Sequence, residues 1–286
     1  MFCYNVWHRN DFGFPDELPL PGIRDLFSRL SADAPGAGIT LTGGEPLLRD
    51  DLPEIAAAAR ETGFAVAVAT NGLLLTRALA GEQNRSGVRH FDIGVETSLP
   101  EASRGIAGAS GTGASVTVCY CLTSRSCENA RDVVGLAAAL GADAVCLNRF
   151  VPTGGTGDGL LAPSSRELEE AFRSAGGAAV EFSLPVYAGI PMEPCAFPSI
   201  GDWGIILTRC NCGEGKWAIG PDGGLRTCEQ SPMVLGNLLN AGFSTLRLAP
   251  EVNWFREEHR RGVCRNCGVL PSCGGGCRFL ARLELQ

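Results

Sequence analysis

Histidine is scarce in this chain of 286 residues, which has only His8, His90 and His259. So few imidazoles argue against a histidine-built metal site and against a Ser-His-Asp catalytic constellation. Long apolar runs are also missing: none reaches the roughly 18 residues that a membrane-spanning helix needs, so no membrane partner is expected. Lys and Arg number 24 against 31 Asp and Glu. This acidic balance argues against a nucleic-acid partner, because such binding depends on neutralising phosphates.

Cysteine, by contrast, is abundant, with thirteen residues of which seven lie between Cys210 and Cys277. The first residues lack the basic and apolar regions of a secretory signal. An odd, clustered cysteine count without such a signal predicts metal thiolates in a reducing cytoplasm rather than a disulfide framework. Cys119, Cys121 and Cys146 lie in apolar, strand-like runs and are interpreted as buried structural thiols.

Short apolar runs alternate with helix-like stretches in the first two thirds of the chain. The predicted strands are 39–42, 64–69, 91–95, 115–122 and 144–151, and the predicted helices are 51–61, 126–140 and 164–175. This alternation predicts an α/β fold with a parallel sheet covered by helices. Active sites in such folds lie at the carboxyl ends of the strands. The glycine-rich stretches 105–113 and 154–159 are predicted to be loops.

A proline-rich segment, 184–204, separates this region from the cysteine-rich tail. It is interpreted as the connection between a domain of residues 1–185 and a second domain of residues 186–286. The tail contains Cys210-x-Cys212, Gly223-x4-Cys228 and Cys264-x2-Cys267-x5-Cys273-x3-Cys277. Thiolates at these spacings can converge on one metal centre. Seven cysteines exceed one tetrahedral zinc and nearly fill two four-iron clusters, although zinc remains an alternative.

The run Gly43-Gly44-Glu45-Pro46 directly follows the first predicted strand. Two glycines at a strand end allow a ligand to approach the main chain, and a carboxylate can accept a hydrogen bond from an ammonium group. A plain strand-to-helix turn would have a similar sequence, so this run alone does not decide its function.

Together these motifs resemble the radical S-adenosylmethionine (SAM) superfamily, in the subgroup with a C-terminal SPASM domain. The resemblance covers nearly the whole chain and includes Thr70-Asn71-Gly72 and residues 148–154 at later strand ends. It implies a partial (β/α)6 TIM-like barrel followed by a small cysteine-rich domain. It also implies one SAM-binding 4Fe–4S cluster, one or two auxiliary clusters, and SAM. The SAM-contacting positions would be Gly43, Gly44, Glu45, Pro46, Asn71, Glu96, Arg104, Leu147 and Val151.

The roles implied for these positions differ. Residues 43–45 would hold the methionine amine, Glu96 would lie near the ribose, and Arg104 would face the methionine carboxylate. The backbone from Leu147 to Val151 would contact the adenine.

Cys3 resembles the third cysteine of the family's Cys-x3-Cys-x2-Cys loop and is the expected catalytic ligand. Its two partners and the first strand would precede Met1, so the chain is expected to be N-terminally truncated and inactive as written. Upstream codons should then encode a cysteine immediately before Met1 and another four residues earlier. A replacement triplet, Cys119, Cys121 and Cys127, is less favoured, because the first two are expected to point to opposite faces of a strand.

The resemblance divides the tail cysteines between two auxiliary clusters. The first would take Cys228 and Cys277 with Cys210, Cys212 or both, and Cys195 is an outside candidate. The second would take the three remaining tail cysteines and lacks a fourth ligand within the chain; these are Cys264, Cys267 and Cys273.

The expected function is that of an oxidoreductase or maturase that generates a 5′-deoxyadenosyl radical from SAM. Its substrate would be a peptide or a tetrapyrrole-like molecule, and its electron donor a protein such as flavodoxin or ferredoxin. Two alternatives remain open at this point. One is a catalytically silent iron–sulfur fragment, and the other is a zinc-binding structural or interaction protein.

Overall fold

The computed structural model of the chain describes residues 16–95, 99–152, 158–257 and 264–283. Its largest feature is a seven-stranded sheet in which every neighbouring pair is parallel and the strands lie side by side in chain order. The strands are β1 (Gly38–Leu41), β2 (Ala65–Thr70), β3 (Val88–Val95), β4 (Ser115–Leu122), β5 (Ala144–Arg149), β6 (Val186–Ala188) and β7 (Ile205–Leu207). Strands added in sequence are typical of a barrel rather than of a doubly wound sheet. The α/β partial-barrel prediction is confirmed; a strand before residue 16 lies outside the described residues.

Six helices cover one face of the sheet; the first precedes β1, and the other five connect successive strands from β1 to β6. They are α1 (Leu20–Asp33), α2 (Leu52–Glu61), α3 (Arg77–Ser86), α4 (Leu99–Ala109), α5 (Ala130–Ala139) and α6 (Ser165–Phe182). Alternate strand residues such as Val68, Ile93 and Val118 are fully buried beneath these helices, in one continuous core. We call the opposite side the inner face. Its half-buried residues include Ala67, Ala69, His90, Asp92, Thr117, Cys119, Cys121, Cys146, Asn148 and Tyr187.

The prediction of a loop at 105–113 is wrong for its first five residues, which belong to α4. A Cβ atom at Gly105 would lie 2.4 Å from the carbonyl oxygen of Gly72, and one at Gly108 would lie 2.9 Å from that of Leu75. The glycines therefore let α4 pack directly against the backbone that follows β2. Most of the other predicted glycine loop, 154–159, lies outside the described residues.

The cysteine-rich end of the chain forms a small antiparallel sheet and four short helices. These elements are β8 (Ala218–Ile219), β9 (Gly224–Arg226), β10 (Val234–Asn237), α7 (Phe243–Leu246), α8 (Pro250–Glu257), α9 (Leu270–Cys273) and α10 (Arg278–Leu283). The backbone N–H of Ser244 donates to Asp33 Oδ2 at 2.9 Å, which ties α7 to the end of α1. The parallel sheet continues past residue 185 through β6 and β7, and the domain boundary at that residue stays a prediction. Within the described ranges, no helix combines the length and apolar character that a membrane crossing demands.

Candidate functional site

The carboxylate of Glu45 joins the carboxyl ends of β1 and β2. Its Oε1 accepts hydrogen bonds from the hydroxyl of Thr70 at 2.6 Å and from the backbone N–H of Leu47 at 3.1 Å. Its Oε2 accepts from the backbone N–H of Asn71 at 2.8 Å. A carboxylate offers about four acceptor positions, so three are occupied by the protein and one stays available to a ligand. Pro46 is buried behind it and begins a short 3-10 helix, Pro46–Leu48.

The main chain before Glu45 is open to solvent. Gly43 and Gly44 are exposed, and a Cβ atom added to either one would meet no atom within 4 Å. Asn71 is exposed as well, and its Oδ1 accepts from the backbone N–H of Leu73 at 2.9 Å. The structure thus brings Gly43, Gly44, Glu45 and Asn71 together around open space at the carboxyl edge of the sheet.

The other predicted SAM-contacting residues are more dispersed. Arg104 is exposed on α4. Leu147 is fully buried in β5, and its carbonyl accepts from the backbone N–H of Gly189 at 3.0 Å. Val151 is buried just after β5. Cys3 and Glu96 lie outside the described residues, so their assignments stay predictions.

Four tail cysteines line one cavity between the barrel and the small sheet. All are buried, with 6–8% of their surface exposed, and they are Cys210, Cys212, Cys228 and Cys277. The pKa of the Cys210 thiol is lowered to about 6, chiefly by a hydrogen bond with Cys212, whose own pKa is raised well above its ordinary value. Burial raises the pKa of Cys277 to about 12. Four thiols so close together cannot all ionise without a cation among them, so this donor set fits a metal centre.

Two buried polar atoms beside these cysteines lack a protein partner among the described residues. Arg278 follows Cys277, and its guanidinium donates to the carbonyl of Cys212 and to Glu214, while its Nε is unpaired. Thr227 precedes Cys228, and its hydroxyl is unpaired too. Buried donors are normally satisfied. Neither Arg278 nor Thr227 lines the cavity, so the fit to a metal centre rests on the four thiols themselves.

A more compact set of ligand atoms overlaps this site. Cys212, Cys228 and Glu229 have ligand atoms within 4.8 Å of one another. Glu229 Oε1 also pairs with Lys216 Nζ at 2.7 Å. Among the described residues no other group of three is as compact, and this holds for Cys264, Cys267 and Cys273. These three are half-buried on a surface turn and on α9.

Two contacts connect the carboxyl end of β5 to the cysteine cavity. The Arg149 guanidinium donates to both carboxylate oxygens of Glu193, at 2.9 and 2.7 Å. Glu193 packs on Gly276, where a Cβ atom would lie 2.1 Å from its Oε1. Val151 packs in an apolar cluster with Cys277. Direct contacts therefore join the end of β5 to the tail cysteines, and no local sequence pattern predicts the Arg149–Glu193 pair.

The inner face corrects two expectations about side-chain placement. Cys119 and Cys121 share that face, because residues two apart in a strand point the same way, so expecting opposite faces was wrong. Ser115, His90 and Asp92 do come together: the imidazole Nδ1 lies 2.7 Å from the serine Oγ, and Nε2 lies 3.1 Å from the aspartate Oδ1. Their register on adjacent strands creates this constellation, which the scarcity of histidine seemed to exclude. It lies at the amino end of β4, away from Glu45.

Comparisons with known proteins agree with this arrangement. The model of the radical SAM superfamily matches residues 1–145, and that of an iron–sulfur cluster-binding domain, SPASM, matches residues 210–268. A PqqA peptide cyclase of Streptomyces rochei is 26% identical over 84% of this chain and 70% of its own. An AdoMet-dependent heme synthase of Nitratidesulfovibrio vulgaris is 27% identical over 85% and 74%.

Solved structures give the same fold. Streptococcus suis SuiB bound to its precursor peptide SuiA has a TM-score of 0.77 at 14% identity, over 99% of this chain and 69% of that one. Native anSMEcpe with bound AdoMet has a TM-score of 0.73 at 12% identity, over 96% and 84%.

Proposed function

The chain belongs to the radical SAM superfamily, and we propose that it is a peptide-modifying enzyme with an auxiliary iron–sulfur site in its tail. Enzymes of this superfamily bind a 4Fe–4S cluster and SAM, and SPASM domains bind auxiliary clusters. When bound, the reduced cluster supplies the electron that cleaves SAM to the 5′-deoxyadenosyl radical. The protein's own contribution is to bind, orient and enclose the reactants.

The carboxyl ends of β1 and β2 hold the methionine end of SAM in this proposal. The free acceptor position of Glu45 takes a hydrogen bond from the methionine ammonium, while Thr70 and Asn71 keep the carboxylate in place. Gly43 and Gly44 leave room for the ligand against the main chain. Because the protein donors already fix the carboxylate, no rearrangement is needed when SAM binds.

The cysteine cavity holds the auxiliary cluster. Its ligands would be Cys210, Cys212, Cys228 and Cys277, which all line the cavity. The observation that supports the proposal most is the contact between the end of β5 and this cavity, through Arg149, Glu193 and Val151. A substrate at the strand ends would then lie between the SAM site and the auxiliary site.

A peptide is the favoured substrate class because several of the similar proteins are peptide cyclases by name. The heme synthase relative supports a tetrapyrrole as the second candidate. The electron donor in this proposal is a low-potential protein such as flavodoxin or ferredoxin, and the compartment is the cytoplasm.

Deuterium transfer distinguishes the two substrate classes. The holoenzyme, expressed from its natural reading frame, is incubated anaerobically with SAM, dithionite and extracts of host cells grown in deuterated medium. One extract contains low-molecular-weight peptides and the other contains tetrapyrroles. We expect deuterium in 5′-deoxyadenosine with the peptide extract alone. Label from the tetrapyrrole extract would favour the second candidate, and no 5′-deoxyadenosine at all would refute the proposed activity.

A matched pair of variants tests the role of Glu45. Glu45→Gln removes the charge that attracts the ammonium group, so 5′-deoxyadenosine formation at limiting SAM should fall about 10- to 100-fold, as expected for a lost charge-assisted hydrogen bond. Glu54→Gln, at an exposed carboxylate on α2, is the control and should retain full activity. Equal rates in the two variants would contradict the assignment.

A further inference from the structure

Two thiols on the inner face have no role in the function proposed above. Cys119 on β4 and Cys146 on β5 are direct partners in the register of the parallel sheet. Adjacent strands lie about 4.8 Å apart, which is within the range of Cα separations that a disulfide spans. Both residues are half-buried on the inner face.

The surroundings make the two thiols chemically unequal. Asp92 Oδ1 lies 3.8 Å from Cys119 Sγ, and Asn148 Oδ1 lies 3.8 Å from Cys146 Sγ. The hydrogen bond between the thiols raises the pKa of Cys119 and lowers that of Cys146. Cys146 is therefore the thiol that ionises first and acts as the attacking nucleophile in an exchange reaction.

The pair lies immediately behind the cysteine cavity. A Cβ atom at Gly189 would be only 2.3 Å from both Cys146 Sγ and Asn148 Oδ1, so the backbone of Gly189 rests against the thiol. Gly189 also lines the cavity that contains the four tail cysteines. Lys216, which lines the same cavity, is close enough that its charge acts on Cys146. One residue's main chain thus separates the thiol pair from the auxiliary site.

We propose that Cys119 and Cys146 form a redox-active dithiol that exchanges electrons with the auxiliary iron–sulfur site across Gly189. In the closing step, in which the protein disulfide forms, the Cys146 thiolate attacks a low-molecular-weight disulfide and releases one thiol. The Cys119 thiolate then attacks the mixed disulfide and releases the second thiol, so two protein thiols and one disulfide give a protein disulfide and two small thiols. In the opening step, in which the disulfide is reduced, it takes up two protons and two electrons. The cluster carries one electron at a time, so the low-potential donor protein reduces it twice in succession.

In the opening step the reduced cluster is the electron donor and the disulfide is the acceptor. This opening step rests on the proposed iron–sulfur site, whereas the closing step does not.

Disulfide mapping tests the closing step. Anaerobic holoenzyme is treated with glutathione disulfide, alkylated and digested with trypsin, and we expect peptides 105–125 and 132–149 to be linked. Cys121→Ser is the matched control, because Cys121 lies on the same strand and face but pairs with Asn148. The link should persist in Cys121→Ser and vanish in Cys119→Ser and Cys146→Ser. Recovery of both wild-type cysteines as free thiols or as separate glutathione adducts would overturn the proposal.

A reductive titration tests the opening step. Oxidised holoenzyme is reduced with photochemically generated, thiol-free reductant while the cluster is followed by absorbance and electron paramagnetic resonance. The wild type should take up two electrons per chain more than Cys119→Ser and regain both thiols. Equal electron uptake by the two proteins, with the wild-type disulfide still intact, would overturn the proposed electron exchange with the cluster. Iron content that is unaffected by Cys277→Ala would instead mean that the proposed auxiliary site is wrong, so the two failures are distinguishable.

Discussion

Arg149 and Glu193 form a two-point ion pair that holds the end of β5 against the loop before Cys277. The Arg149 side chain is only 8% exposed, and the two N–H···O distances are 2.9 and 2.7 Å. Glu193 in turn packs against Gly276, which immediately precedes the cysteine. The pair therefore sets the position of Cys277, a proposed cluster ligand, relative to the strand ends where the substrate is proposed to bind.

Glu193→Gln is expected to lower the free energy of unfolding by about 1–3 kcal/mol, because the charge of Arg149 is left buried without its counter-charge. The same variant should lose iron from the auxiliary site. Chemical unfolding and iron analysis measure the two effects.

Glu181→Gln is the control for this prediction. Glu181 pairs with Arg131 on the surface, and both side chains are about half exposed. Exposed pairs contribute about 0–1 kcal/mol, so this variant should unfold much like the wild type. A Glu193→Gln protein as stable and as iron-rich as this control would show that the buried pair has no positioning role.

Two glycine substitutions should separate stability from SAM binding. In Gly105→Ala the added Cβ would lie 2.4 Å from a backbone oxygen, and the overpacking should destabilise the protein by about 1–3 kcal/mol. In Gly43→Ala the added methyl meets no protein atom within 4 Å, so thermal stability should be unchanged or slightly raised. SAM affinity of the Gly43→Ala holoenzyme, measured by calorimetry, should nevertheless fall. Unaltered SAM affinity would remove Gly43 from the proposed site.

The His90–Asp92 pair predicts a pH dependence of stability. The hydrogen bond with Asp92 raises the pKa of His90, Asp143 adds to the effect, and Ser115 is the other hydrogen-bond partner. Because folding raises the pKa of His90, the pair stabilises the fold fully at pH values below the unfolded-state pKa of about 6.5. This stabilisation is lost as the pH rises through the folded-state pKa. Asp92→Asn should therefore lower the melting temperature more at about pH 6 than at about pH 9. The exposed control Asp50→Asn should show no such difference, and a larger effect of Asp92→Asn at high pH would contradict the sign.

The first five strands of the sheet could be predicted because each contains a short, mainly apolar run between turn residues. The prediction for 115–122 matches β4 residue for residue. By contrast, β6 and β7 have only three residues each and lie in or just after the proline-rich segment. The composition around them is that of an interdomain connection, so they were not predicted as strands. The second half of α4 falls in a glycine-rich stretch whose composition predicts a loop, whereas in the fold these glycines permit close packing.

In the candidate site, too, some features could be predicted from the sequence and others depend on contacts between distant parts of the chain. The family resemblance implied that Cys228 and Cys277 share a cluster with Cys210, Cys212 or both, and the fold brings all four to one cavity. The Arg149–Glu193 pair spans 44 residues and depends on where the loop before Cys277 folds back. Likewise, the Cys119–Cys146 pair follows from strand register, which no local pattern in either strand specifies.

The occupant of the four-cysteine cavity tests the central claim most directly. Iron, sulfide and zinc are measured in anaerobically purified holoenzyme and in Cys277→Ala, with the exposed Cys195→Ala as the control. We predict a brown protein absorbing near ~400 nm, with at least about four irons per chain and matching sulfide, and a loss of iron in Cys277→Ala alone. Stoichiometric zinc without iron, or iron that is unaffected by Cys277→Ala, would contradict the assignment.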